Sequence, residues 1–373
     1  MNTPLWDDAP GPELPRLSGT QRADVVVVGL GGSGLSALEE LQRQGVEAVG
    51  IDAGVVGGGA AGRNGGFVLA GLAKFYHDTV KQLGRELAAA LYRETELEIA
   101  RWISEWPQVV RRTGSLRIAA DEEEVEDCRR HLAALHADDF GGSWYEGAEG
   151  TGLLLPTDAV MQPLTRVRAL AQRLRNAGVR LYQGSPVRRL LTGQVVTDAA
   201  VIHCDAIVVA VDGRLDVILP ELAGRVRTAR LQMLATAPAP EVTIPRPVYW
   251  RHGFEYWQQR PDGCVALGGF RDHALEQEWT VDAAPTEFIQ GLLEKFLREH
   301  LHVRAPVTHR WAASVGYTPD GLPILEEVRP GIWAVGGYNG TGNIVGALSA
   351  RAAAARAVGG RSEWGELLAR ARR

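Results

Sequence analysis

Cysteine is scarce in this chain. The three residues in 373, Cys128, Cys204 and Cys264, are odd in number and have no C-x-x-C spacing, which leaves no basis for a disulfide framework or a zinc site. Lysine occurs only at Lys74, Lys81 and Lys295, arginine supplying the rest of the 40 basic residues, a compositional bias without functional content. Against 45 Asp and Glu the net charge is −5 and no long block of one sign occurs, so nucleic acid is not an expected partner. No apolar run reaches the roughly 20 residues of a membrane span. Met1 to Arg22 carries Asp7, Asp8 and several prolines where a signal peptide would have an apolar core. The expectation is a cytoplasmic protein without integral membrane contact. The acidic run Asp121 to Glu124 reads as the solvated first turn of a helix, and no metal site is expected.

What the chain has in quantity is apolar residue and glycine: 45% hydrophobic residues over 373 positions bury a large core and point to two domains. The apolar stretch Val25 to Val28 runs into Gly29-Leu30-Gly31-Gly32-Ser33-Gly34, a G-x-G-x-x-G turn. Gly29 permits the tight turn, Gly31 lets a pyrophosphate approach the backbone, and Gly34 lets the next helix pack on the strand. The start of that helix offers unpaired N–H groups and a positive dipole end to anionic oxygen. Leu35 to Gln44 reads as the helix, closed by Gly45, and Val46 to Ile51 as a second strand ending at Asp52. Asp52 lies where a carboxylate accepts hydrogen bonds from a ribose, about 20 residues past the glycines.

Beyond this βαβ unit, Ala53 to Phe67 is too rich in glycine for a regular element. Helices are predicted over Thr79–Leu83, Glu86–Trp106 and Leu164–Ala177, and a strand over Gly114–Ala120. Strands follow at Val179–Tyr182 and Ser185–Leu190. Val201 to Val211 reads as one apolar central strand ending at Asp212-Gly213. From Val226 to Phe270 short alternating strands imply an antiparallel sheet in a second domain. Thr286–Leu301 reads as a helix, Ile332–Gly337 returns as a strand, and Gly340-Thr341-Gly342 leads into a closing helix, Ile344–Val358.

Taken in order, several segments resemble the D-amino-acid oxidase-like family of FAD-dependent oxidoreductases across nearly the whole chain. They are the Gly29-Gly31-Gly34 turn with Asp52, the Gly62-Arg63-Asn64-Gly65-Gly66 loop, Val187 after Gly184-Ser185-Pro186, Val208 to Gly213, Arg310-Trp311, Thr318 to Pro323, and Gly336 to Gly342. Leu5-Trp6-Asp7, the Arg-Asn-Gly-Gly loop and His309-Arg310-Trp311 look most like its γ-glutamylputrescine oxidase branch. The fold implied is α/β: a discontinuous Rossmann-like FAD-binding domain (22–84, 150–215 and 306–373) plus an α+β substrate domain (85–149 and 216–305) with a mostly antiparallel sheet.

The resemblance also implies roles. Gly29, Gly31, Gly32, Ser33 and Gly34 would hold the FAD pyrophosphate, Asp52 with Ala53 the adenosine ribose, and the Val187 backbone the adenine. Arg63, Asn64, Gly65 and Gly66 would run toward the flavin, and Gly337, Gly340, Thr341 and Gly342 would meet its pyrimidine edge at the start of the last helix. The implied reaction is oxidation of the C–N bond of a small-molecule amine or amino acid to an imine, with oxygen or another electron acceptor reoxidising the flavin; a catalytically inactive flavoprotein is the alternative. Substrate-side candidates are Tyr249, Trp250, Arg251, His252, Phe254, Tyr256 and Trp257, with Phe254 and Tyr256 on one strand face, and Arg271 and Arg310 as carboxylate binders. Two departures matter. Ala312-Ala313-Ser314 stands where members with covalent flavin carry cysteine, so non-covalent FAD is expected. Cys264 to Leu267 stands in the region where some oxidases place an oxygen-activating lysine.

Overall fold

Strands that are apolar on both faces need cover on both sides; in one of the chain's two compact units the central sheet has helices on one face and, on the other, a core shared with Leu190, Val195 and Ile202 of a second sheet and with Leu215, Leu219 and Leu222. A computed structural model describes residues 2–373. One unit comprises Ala9–Gly62, Leu164–Thr228 and Val315–Arg373; the other comprises the N-terminal residues through Asp8, Arg63–Pro163 and Ala229–Ser314. These bounds differ from the expected ones: residues 63–84, 150–163 and 306–314 cluster with the second unit, and 216–228 with the first. The reason is strand pairing, since Phe67–Val68 and Val110–Arg112 both pair with Ala159–Met161 in a three-stranded sheet.

The first unit carries a six-stranded sheet in the order Arg180–Tyr182, Ala48–Ile51, Val25–Val28, Ala206–Val209, Ile332–Gly336, Ile324–Arg329. All pairs are parallel except the last. Val25–Val28 is therefore flanked by the strand that follows it and by one arriving much later, a topological switch point of the kind that binds ligands at strand carboxyl ends. The helices Gly32–Arg43 and Ile344–Ala357 pack on this sheet, the second through a run of buried alanines. The predicted single strand Val201–Val211 is two strands. Ala200–His203 joins a four-stranded sheet beside Gly19–Arg22, whereas Ala206–Val209 joins the six-stranded one. The break falls at Cys204-Asp205, where the N–H groups of Asp205 and Ala206 both turn to the Asp24 carbonyl. The helix from Ile344 is also not the last, because Glu363–Ala371 follows, N-capped by the Ser362 side chain.

The second unit is built on an eight-stranded sheet ordered Val307–Tyr317, Arg227–Pro238, Cys264–Gly268, Glu255–Gln259, Val248–Trp250, Ser115–Ile118, Gly150–Leu155, Ser143–Gly147. Val248–Trp250 pairs with Ser115–Ile118 in parallel. Alternation sends Leu116, Val248, Trp257, Leu267 and Leu234 to one face, where Ile289, Leu293, Phe296 and Leu297 of the helix Glu287–Glu299 complete a core. The neighbouring row, Met233, Gly268, Tyr256, Tyr249, Arg117 and Leu153, is in register across the strands and points to the opposite face. Helices Tyr76–Leu83, Arg85–Glu105 and Glu122–Ala137 belong to this unit. Among the described residues no helix is long and apolar enough to cross a membrane.

Candidate functional site

In the first unit the glycine turn has the geometry its spacing predicts. Gly29 takes φ +108°, and a Cβ there would meet the Ala210 carbonyl oxygen at 2.5 Å. At Gly34 a Cβ would collide with the Gly29 carbonyl, so only glycine lets the helix begin this close to the strand. Gly31 and Gly32 differ: a Cβ at either would find nothing nearer than the Ala61 methyl, at 3.4 and 3.8 Å, so open space lies over the helix start. No acidic residue occupies the first turn of that helix. Asp52 ties the turn down, one carboxylate oxygen accepting the Leu30 N–H and the other the Gly54 N–H, both at 2.7 Å. Burial raises its pKa. Ala53 follows it, and Val187 opens the strand Val187–Leu191 opposite Thr197.

The late glycine segment reaches the same place. A Cβ at Gly346, in the helix Ile344–Ala357, would meet the Ser33 hydroxyl at 2.7 Å and the Tyr338 ring at 3.1 Å, so residues near 30 and near 340 converge. Gly337 and Gly340 take φ +63° and +90°, and nothing lies within 4 Å of a Cβ built at Gly340. The segment ends in a turn in which the Thr341 hydroxyl donates to the Tyr338 carbonyl at 2.7 Å; Gly340, Thr341 and Gly342 thus precede the helix, whose first turn has no side-chain cap from Asn343. Sequence reasoning saw Asp212 only as a strand end. The structure makes it an anchor: with φ +43° it accepts the N–H groups of Gly316 at 3.1 Å and Gly337 at 2.9 Å. Burial pushes its pKa up to about 6 against those hydrogen bonds.

In the second unit, the loop Arg63–Gly66 is held by its carbonyls. The Arg63 carbonyl accepts from Trp311 Nε1 and the Asn64 carbonyl from Trp6 Nε1, both at 2.7 Å; the Gly65 carbonyl accepts from Gln258 Nε2, and the Gly66 carbonyl from the Met161 N–H at 2.8 Å. The two tryptophans are buried and meet edge to face. They were visible as Leu5-Trp6-Asp7 and Arg310-Trp311, but their joint action on one loop was not. The Arg63 side chain donates to the Ala312 and Asn2 carbonyls, at 2.7 and 2.6 Å.

Tyr256 and Tyr249 stand side by side on the sheet face away from the helix core, ring centroids 5.9 Å apart, each edge-on to Phe67. Gly268 makes room for the Tyr256 ring, and Gly65 lies against it. Trp257 is buried in the core on the opposite face, and Trp250 packs against that core. Phe254 precedes the strand in helical conformation under the Arg251 guanidinium, so it shares no strand face with Tyr256. Arg251 is bidentate to the fully buried Glu255 and also pairs with Asp272. Arg310 pairs with Glu294 and Gln290, and Arg271 lies over the Trp279 ring at 4.7 Å. Of the predicted substrate-side residues, the structure brings together Tyr249 and Tyr256. The arginine it adds to their row is Arg117, whose strand was predicted but whose neighbours were not.

The profile of the family described as "DAO: FAD dependent oxidoreductase" matches residues 24–356. The chain belongs to this family. A protein named probable oxidoreductase OrdL from Rhizobium meliloti is 27% identical, over 90% of this chain and 84% of that protein. Among solved structures, an L-amino acid deaminase from Proteus vulgaris lacking its specific insertion sequence has a TM-score of 0.75 at 20% identity, covering 95% of this chain and 93% of its own. Glycine oxidase from Geobacillus kaustophilus has a TM-score of 0.74 at 19% identity, covering 92% and 96%. At these identities the solved structures establish the fold. As a member of the DAO family the chain is an FAD-dependent oxidoreductase, and the open backbone at Gly31, Gly32 and Gly340 fits a nucleotide whose approach any Cβ would obstruct.

Proposed function

We propose that the chain oxidises the C–N bond of an amine or amino acid to an imine, which water then hydrolyses. The observation that carries this reading is the glycine cradle of the first unit, where the Gly29–Gly34 turn and the segment before Ile344 meet around open space. Gly31, Gly32, Ser33 and Gly34 hold the pyrophosphate, Asp52 and Ala53 the ribose through lone pairs left over after Leu30 and Gly54 are satisfied, and the Val187 backbone the adenine. Gly337, Gly340, Thr341 and Gly342 lead to the positive end of the helix Ile344–Ala357, which stabilises negative charge. When bound, FAD accepts the hydride equivalent from the carbon beside the amine.

Tyr256 and Tyr249 supply the surface against which an amine packs, aromatic faces being favourable to cationic and neutral amines alike. Arg63, Asn64, Gly65 and Gly66 are the loop we assign to the cofactor by family resemblance; its carbonyls are held within its own unit, and the Gly66 N–H donates to the Asn64 side chain. Arg251, Arg271 and Arg310 hold the substrate domain in shape. The flavin is dissociable, since Ala312, Ala313 and Ser314 provide no thiol for attachment. The three free, buried cysteines suit a reducing cytoplasm.

Oxygen is the first candidate acceptor. A different carrier is favoured by one observation: the strand Cys264–Gly268 holds no lysine. The test is anaerobic titration of the FAD-loaded protein with a panel of amines and amino acids, following bleaching of the flavin, then air or an artificial dye as oxidant. Bleaching by a member of the panel is the expected result; peroxide release assigns an oxidase and dye-dependent turnover a dehydrogenase. A flavin that no amine reduces overturns the reading in favour of an inactive flavoprotein.

A further inference from the structure

Residues 2–8 form neither helix nor strand, yet they bury Leu5 and Trp6, at 7% and 1% exposure. Side chains from elsewhere in the same unit hold them there. The Asn2 amide donates to the Ala283 carbonyl at 2.6 Å and accepts the Ala312 N–H at 3.0 Å. Arg260 donates to the Leu5 carbonyl at 3.4 Å and pairs with Asp8, and Gln162 Nε2 donates to the Trp6 carbonyl at 2.8 Å. With the backbone gripped on both sides of it, the Trp6 indole is directed inward, and its N–H is spent on the Asn64 carbonyl at 2.7 Å. Arg63 ties the loop to the segment a second time, donating to the carbonyl and the side chain of Asn2.

The consequence lies in the loop 63–66. Its successive carbonyls at Arg63, Asn64 and Gly65 are taken by the side chains of Trp311, Trp6 and Gln258, where the carbonyls of a surface loop ordinarily face water. A peptide is planar and trans, so a fixed carbonyl also fixes the N–H across the same bond. Opposite the Asn64 carbonyl stands the Gly65 N–H, on the side away from the indole. It has no hydrogen-bond partner among the described residues, whereas the next amide, that of Gly66, donates to Asn64 Oδ1 at 2.8 Å. Gly65 also lies against the Tyr256 ring, which a Cβ there would meet at 3.1 Å. The Trp6 indole therefore decides where the Gly65 donor points, and the loop is organised before any ligand arrives.

We propose that residues 2–8 are a strap and Trp6 a positioning residue for the cofactor: by holding the Asn64–Gly65 peptide from behind, the strap keeps the loop 63–66 in the conformation that receives the flavin, and so governs FAD affinity and the surroundings of the ring without touching it. This rests on the assignment of that loop to the cofactor in the reading above, and not on the amine chemistry.

The experiment uses the full chain. Trp6→Phe keeps an aromatic ring in the buried site and deletes the N–H. Trp102→Phe is the control, since Trp102 is as deeply buried in the same unit and spends its indole N–H on Glu98 at 2.6 Å, away from the loop's partners. FAD affinity is measured by flavin fluorescence titration, the surroundings of the ring by visible circular dichroism at saturating FAD, and stability by melting of the apoproteins. Trp6→Phe is expected to weaken FAD roughly fivefold, the factor that one lost hydrogen bond is worth, and to alter the visible dichroism. Trp102→Phe is expected to lower the apoprotein melting temperature while leaving affinity and dichroism at the parent values. Should Trp6→Phe fail to fold, Asn2→Ala at an exposed position decides, with roughly twofold weaker FAD and an altered dichroism expected. Parent-like affinity and dichroism in the deciding variant, or equal losses in it and in Trp102→Phe, overturn the strap. Strap effects in a protein whose flavin no amine reduces uphold the strap and overturn the proposed reaction instead.

Discussion

Gly31 and Gly34 sit three residues apart in one turn and do opposite work. Gly34 is required by the fold, because a Cβ there strikes the Gly29 carbonyl; Gly31 has ordinary space around it and a backbone φ of −83° that any residue adopts. Gly34→Ala is therefore expected to destabilise the apoprotein by about 1–3 kcal/mol through forced overpacking. Gly31→Ala is expected to change apoprotein stability by less than about 1 kcal/mol while weakening FAD at least tenfold. Urea unfolding of the apoproteins and flavin fluorescence titration separate the two, and equal effects on both quantities would refute the division. Both glycines were legible in the sequence because the constraint on each is local backbone sterics. Asp212 was not: its acceptors' donors, Gly316 and Gly337, lie more than 100 residues away, and only closure of the sheet brings them to its carboxylate.

Among elements, the three-stranded sheet shows how a buried acid stitches segments together. Asp158, 1% exposed, accepts from Ala70 and Ser115, and its main-chain carbonyl accepts from Gly114. Desolvation raises its pKa to about 6. Since the folded value lies above the unfolded one, the protonated acid stabilises the fold below about pH 4, and that contribution is lost as pH rises through about 6. Asp158→Asn, which keeps an acceptor for Ala70, removes this dependence. The stability difference, variant minus parent, is expected to grow by up to about 3 kcal/mol between pH 4 and pH 7, and thermal melts across that range that run parallel would contradict it. Helix positions were largely readable from periodicity, as with the expected Leu164–Ala177, observed as Pro163–Asn176. The apolar run Val201–Val211 was misread because apolarity marks burial without naming the sheet, and the chain changes sheets at Cys204-Asp205.

For the molecule entire, the cradle makes stability depend on the cofactor. A ligand that binds only the folded state stabilises it by RT ln(1 + [L]/Kd), about 2.7 kcal/mol at a concentration 100 times Kd. The melting temperature is expected to climb with added FAD in the parent and to stay flat in Gly31→Ala at the same concentrations. Acid precipitation is expected to leave the yellow flavin in the supernatant, because Ala312 to Ser314 offers no thiol; flavin retained in the pellet would show a covalent link.

The dinucleotide turn, its helix, the strand ending at Asp52 and the late glycine segment could all be read directly along the chain, since each is imposed by contacts between near neighbours or by the absence of a side chain. Which arginine stands beside Tyr249 could not. Arg251 is one residue from the right strand yet is consumed by Glu255 and Asp272, whereas Arg117 reaches the tyrosine row through a parallel pairing of Ser115–Ile118 with Val248–Trp250. Strand register between segments more than 100 residues apart is a property of the packed sheet, and no local pattern encodes it.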